Sequence, residues 1–89
     1  MTANREARAA AKLAKRCYPI FAGQEAEIQG AALVDLVARH LAGHVAVGDE
    51  EATAAMRKML LEAFIIAVKQ LVPIVDAADI QPELRRRMQ

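Results

Sequence analysis

The chain has 89 residues, of which 55% are hydrophobic, 3% aromatic and 26% charged, and its formal net charge is +1. This length supports one small domain, and twenty alanines with no tryptophan and no serine favour packed helices over strands. The lack of serine excludes a serine nucleophile, and four glycines isolated from one another exclude a glycine-rich phosphate loop. We therefore predict an all-α, non-enzymatic protein that spans residues 1–89 as a single domain.

The first predicted helix covers residues 4–18 and is basic. Residues 1–17 carry a net charge of +4, residues 18–75 carry −3 and residues 76–89 carry 0. The basic side chains of the first segment recur at helical spacing, while its apolar positions are mostly alanine, with Leu13 as the large aliphatic residue. Such a helix buries little apolar area, so we expect residues 1–17 to fray, and Pro19 is expected to end the helix.

The second predicted helix covers residues 24–42, between Gly23 and Gly43. A short connection, residues 44–48, then leads to the third predicted helix. Because this connection has a glycine at each end, the chain can reverse there, and we predict that the second and third helices form an antiparallel hairpin.

The third predicted helix, residues 49–72, is the longest periodic apolar segment. Asp49 is suited to the N-cap position, and Glu50 and Glu51 place negative charge in the first turn, where the helix dipole favours it. Pro73 lacks an N–H group, so we expect the helix to end near Leu71 or Val72, with a kinked continuation as the alternative. Four of its charged residues share one narrow sector of the helical wheel, and the apolar arc covers well over half of the circumference. These four are Glu51, Lys58, Glu62 and Lys69.

The end of the chain is predicted to form a short helical turn followed by a basic tail, residues 83–89. Pro82 and Glu83 suit the first turn of a helix, because proline needs no hydrogen-bond acceptor there and glutamate complements the dipole. The longest uninterrupted apolar run, residues 63–68, is too short to span a membrane. A single cysteine, Cys17, forms no intramolecular disulfide, so we expect a reduced, cytoplasmic protein with no membrane partner.

The wide apolar arc of the third helix predicts self-association. One neighbouring helix cannot cover this arc. Because a chain of this size buries little surface when it folds, we do not expect it to leave such an arc exposed to water. We predict a homodimer in which two hairpins make a four-helix arrangement. We predict no cofactor, and the sequence does not identify any further protein partner. The predicted interface residues share this arc: Met56, Met59, Leu60, Phe64, Val68 and Leu71.

The sequence leaves two alternative functions open. The first is a small nucleic-acid-binding regulator, in which basic side chains near both ends of the chain contact phosphates. The residues of this alternative are Arg5, Arg8, Lys12, Lys15, Arg16, Arg85, Arg86 and Arg87. The second alternative is metal or small-ligand binding near His40 and His44, which stand four residues apart but lack a third ligand in the sequence pattern.

Overall fold

A computed structural model describes the backbone of residues 2–89 and the side chains from Asn4 onward. Over those residues the protein is 86% helical and contains no strand, which confirms the all-α prediction. Residue contacts divide the chain into two units, Met1–Arg39 and His40–Gln89.

The first unit contains helix α1, Thr2–Ala22, and most of helix α2, Ala26–Ala42. The prediction that Pro19 ends the first helix near residue 18 is wrong, because α1 continues through Pro19 to Ala22. Proline removes one N–H donor from the helical ladder but leaves the donors of the following residues intact. The penalty is therefore local: one hydrogen bond is lost and the proline ring crowds the preceding turn, near the end of the helix.

The connection between α1 and α2 is closed by hydrogen bonds to the last turn of α1. The backbone N–H of Gln24 donates to the carbonyl of Phe21 at 2.9 Å. The Gln29 side-chain amide donates to the carbonyls of Phe21, at 2.7 Å, and Gln24, at 2.9 Å. The carbonyl of Glu25 accepts the first bond of α2, from the backbone N–H of Gln29, so α2 begins at Ala26, two residues later than predicted.

The second unit is built on helix α3, Glu50–Val75. The predicted end at Leu71 or Val72 is wrong, and the helix continues through Pro73, as in the alternative that the sequence left open. The backbone N–H of Asp76 donates to the carbonyls of Val72 and Pro73, so the ladder resumes directly beyond the proline. As at Pro19, the proline removes one donor without ending the helix.

A π-helical turn, Asp76–Ile80, and helix α4, Gln81–Arg87, follow α3 without a break. The backbone N–H of Gln81 donates to the carbonyl of Asp76, five residues earlier, which is the spacing of a π-helix. The Gln81 side-chain amide also lies 3.2 and 3.3 Å from the two carboxylate oxygens of Asp76. The predicted short C-terminal helical turn is confirmed by α4.

Among the described side chains, neither unit contains a buried hydrophobic residue. Every side chain described, from residue 4 to residue 89, is exposed or half-buried. On α3 the apolar side chains remain accessible along the whole length of the helix, including Leu61, Ile65, Ile66 and Val72. The described secondary structure is therefore held by local hydrogen bonds, and its apolar surface is left uncovered.

Candidate interaction surface

The six predicted interface residues lie on α3, and helical geometry alone brings them to one surface. Four of them, Met56, Leu60, Phe64 and Val68, follow one another at intervals of four residues. Residues at this spacing form a ridge along a helix, and such ridges pack into the grooves of a neighbouring helix. We call the six residues together the α3 apolar surface.

The α3 apolar surface is accessible over its full length. The exposed fraction is 70% for Met59, 42% for Phe64, 43% for Val68 and 54% for Leu71. The remaining two residues, Met56 and Leu60, are half-buried. Monomeric proteins rarely leave a contiguous apolar patch larger than a few hundred Å² uncovered.

The N-terminus of α3 is fixed by side chains from its own first turn. The Oδ1 atom of Asp49 accepts a hydrogen bond from the backbone N–H of Ala52 at 2.9 Å, which confirms Asp49 as the N-cap residue. Thr53 Oγ1 accepts from the backbone N–H of Ala46 at 3.0 Å. The Thr53 hydroxyl proton has two acceptors within reach, the carbonyl of Asp49 at 2.9 Å and that of Ala46 at 3.2 Å.

Arg57 ties the end of α2 and the following loop to α3. Its Nη2 atom donates to the carbonyl of Ala42 at 2.8 Å, and its Nε atom donates to the carbonyl of His44 at 3.1 Å. The last carbonyls of a helix lack partners within the helix, and a guanidinium supplies several donors in a planar fork that can reach two acceptors. The guanidinium therefore satisfies backbone groups 13 and 15 residues earlier in the chain.

The sequence prediction does not include Arg57 or Thr53. One signal is present: on a helical wheel Arg57 lies away from the sector that contains Lys58, Glu62 and Lys69. A lone cation on an otherwise apolar arc requires a polar partner, and in this chain the partner is the backbone of the α2–α3 connection.

The α2–α3 connection ends in a backbone turn at Gly48. Its φ angle is +80°, in the left-handed region that glycine adopts without steric cost. The backbone N–H of Asp49 then donates to the carbonyl of Ala46 at 3.0 Å. An open depression of about 550 Å³ lies beside this turn. Its lining includes Asp49, Thr53 and Arg57, and each of these side chains forms at least one hydrogen bond with a backbone group.

His40 and His44 are brought together at the end of α2. Their ring centroids are 4.8 Å apart, with an angle of 72° between the ring planes. His44 Nδ1 lies 2.8 Å from the carbonyl oxygen of His40, and because a carbonyl only accepts, Nδ1 is the donor. In the part of the chain that the structure describes, no group of three or more histidine, cysteine, aspartate or glutamate side chains is placed to hold a metal ion.

The basic residues occupy two separate elements. The five cations of the N-terminal segment, Arg5, Arg8, Lys12, Lys15 and Arg16, all lie on α1 and are exposed. At the other end, Arg86 and Arg87 form ion pairs with Glu83, the second at 3.5 Å, and Arg85 Nε donates to the carbonyl of Gln81 at 3.4 Å. The C-terminal arginines are thus partly engaged within α4.

Comparisons with protein-family models, curated proteins and solved structures yield no match to this chain. Among the helices of the described residues, none combines the length and apolar character needed to cross a membrane. The accessible surface and the side-chain geometry of each unit are therefore the features that bear on function.

Proposed function

We propose that this protein is a non-enzymatic interaction module that forms a homodimer through the α3 apolar surface. The observation that supports the proposal is the lack of any buried side chain between residues 4 and 89, although more than half of the chain is hydrophobic. Burial of apolar surface is the main force that stabilises folded proteins. A helical protein that buries no side chain within its own chain needs a second surface.

The exposed side chains of α3 indicate the extent of that second surface. From Met59 to Val75, the exposed large apolar side chains of α3 have between 38% and 70% of their area accessible. Stable interfaces of ordinary size bury about 800 Å² on each partner. At a rise of about 1.5 Å per residue the 26 residues of α3 extend about 39 Å, which is long enough to contribute to an interface of that size.

The occupant that we propose for the α3 apolar surface is a second copy of the same chain. In a twofold contact both chains use the same surface. The apolar ridge of each α3 then packs into a groove of the other α3, and the charged sector of each helix remains in water. In this dimer each chain contributes α2 and α3 as an antiparallel hairpin, and two hairpins make a four-helix arrangement. The hydrogen bonds of Arg57 and Thr53 hold the short α2–α3 connection, and the pairing of the two helices is part of the proposal.

Size-exclusion chromatography with light scattering tests the dimer at micromolar chain concentration. We expect a mass twice the 9.7 kDa of one chain. If folding depends on association, the helical circular dichroism signal should fall on dilution as the dimer dissociates. A monomer that keeps its helical signal at all concentrations would refute the proposal.

A second candidate function, binding to nucleic acid, is favoured by one observation. The five cations of α1 are exposed and fall in one sector of the helix, where they could contact successive phosphates, whereas the C-terminal arginines are partly engaged. The test is a titration of duplex DNA and RNA at several salt concentrations, since phosphate contacts make affinity fall steeply with salt. Binding that is absent at low salt, or unchanged when Arg8 and Lys12 are neutralised, would exclude this function.

A further inference from the structure

We propose that His40 and His44 form a two-imidazole binding site for Cu²⁺ at the end of α2. Both residues belong to the same unit, and their ring centroids are 4.8 Å apart. Imidazole nitrogen is a preferred ligand for copper and other late divalent transition metals. The site is independent of the proposed dimer, because one chain supplies both ligands.

The separation of the rings fits shared coordination of one ion. A metal–nitrogen bond of about 2.0 Å and a nitrogen-to-centroid distance of about 1.2 Å place each centroid about 3.2 Å from the metal. Two imidazoles then have centroids about 4.5 Å apart at a 90° angle and about 5.2 Å apart at a tetrahedral angle. The observed 4.8 Å lies between these two values, within the range for two imidazoles on one ion.

The hydrogen bond of His44 prepares its ring for coordination. Nδ1 donates to the carbonyl of His40 at 2.8 Å, so in the neutral ring the proton resides on Nδ1 and the lone pair resides on Nε2. Histidines that bind metals usually donate their other ring N–H to a carbonyl or carboxylate in this way, which fixes the tautomer and the ring orientation. The same bond satisfies a carbonyl of the last turn of α2, so His44 also stabilises the helix end.

Among divalent metals, Cu²⁺ should bind this site most tightly, because the site offers two nitrogen ligands. Affinity for such ligands rises along the first-row divalent metals to a maximum at Cu²⁺, and tetragonal nitrogen coordination is typical of that ion. No third histidine, cysteine, aspartate or glutamate completes the site within the described residues, so water would fill the remaining positions of a bound ion. We therefore expect Zn²⁺ and Mn²⁺ to bind more weakly than Cu²⁺.

The experiment is a titration of the full chain with Cu²⁺. Calorimetry measures the stoichiometry and affinity, and electron paramagnetic resonance identifies the coordinated nitrogens. The titration is done near neutral pH with Cys17→Ala, because the exposed thiol of Cys17 would reduce or bind copper. We expect one Cu²⁺ per chain and a spectrum with two coordinated imidazole nitrogens. The chain contains only these two histidines, so any imidazole signal comes from this pair.

Variants at the two positions provide the decisive comparison. His40→Gln removes one ligand but leaves the ring of His44 in place, and it should weaken Cu²⁺ binding on the order of a hundredfold, since the second imidazole no longer acts as a tethered ligand. Arg39→Gln is the matched control, because it changes the neighbouring residue and leaves both ligands, and it should retain binding. Equal affinity in the His40→Gln variant, or a spectrum with one imidazole, would overturn the proposal.

Discussion

The α2–α3 connection and the α3 apolar surface belong to the same unit but differ in how their chemical groups are satisfied. In the connection, Asp49, Thr53 and Arg57 form hydrogen bonds with backbone groups at distances of 2.8–3.2 Å. Along the apolar surface, by contrast, Phe64 and Leu71 remain about half exposed. The chain satisfies its polar groups locally and leaves its apolar groups without a complete contact.

This difference follows from the range of the two interactions. A hydrogen bond needs one acceptor at about 3 Å, and residues a few positions away can supply it. Burial of a large side chain needs contact with several others at once, so it requires a second packed surface. Changes in the connection should therefore alter the stability of the fold, whereas changes in the apolar surface should alter its assembly.

Phe64→Glu should have the largest effect, and the effect should be on assembly. It removes a large apolar side chain from the middle of the proposed interface and places a charge there, so the dimer should lose about 3 kcal/mol or more, at least a hundredfold in its dissociation constant. Light scattering should then show a monomer or an unfolded chain.

Ala55→Glu is the matched control for Phe64→Glu. It introduces the same side chain on the same helix, next to the charged sector that contains Glu62, and Ala55 is exposed. We expect the Ala55→Glu protein to remain dimeric. Equal loss of the dimer in both variants would show that added charge, rather than the apolar surface, controls assembly.

Pro73→Ala tests the continuity of α3 and should stabilise the protein. Because the helix continues through Pro73, alanine would restore the missing N–H donor and remove a steric conflict, with a gain of about 1 to 3 kcal/mol in the free energy of unfolding. Helical circular dichroism should change little, since the residues after Pro73 are already helical. A large rise in helical signal would instead mean that the helix ends at the proline in solution.

The sequence predicts those parts of the fold that depend on neighbouring residues. The N-cap role of Asp49 is confirmed, because capping chemistry acts within one helical turn. The predicted end of α2 at Ala42 is confirmed as well. The ends predicted at Pro19 and Pro73 are wrong. Proline imposes a local cost, and whether a helix continues beyond it depends on the hydrogen bonds that resume on its far side.

The candidate sites show the same limit. Helical spacing brings Met56, Leu60, Phe64 and Val68 to one surface without any tertiary contact, so their grouping follows from the sequence. The contacts of Arg57 do not follow from the sequence pattern. Its acceptors lie 13 and 15 residues away, and their positions depend on how the connection turns. What covers the apolar surface does not follow from spacing along α3, so the homodimer stays a prediction.

Arg57→Ala should destabilise the α2–α3 connection by about 1 to 2 kcal/mol. It removes two charge-assisted hydrogen bonds to the carbonyls of Ala42 and His44, although both acceptors then gain access to water. Urea unfolding at a fixed chain concentration measures the change. Arg57→Lys retains the charge but not the fork of donors, and it should recover only part of the loss.

The smallest expected effect is that of Asp49→Ala, which removes the N-cap of α3 and should cost about 1 kcal/mol. The backbone N–H of Ala52 then loses its carboxylate acceptor, while the connection keeps the bonds of Thr53 and Arg57. Asp49→Asn is the control, because its side-chain oxygen can still accept the bond, and it should stay close to the original stability. Urea unfolding should detect the loss, and light scattering should show an unchanged mass. A change in mass for Asp49→Ala would mean that the connection and the apolar surface are coupled, so that stability and assembly are not controlled by separate parts of α3.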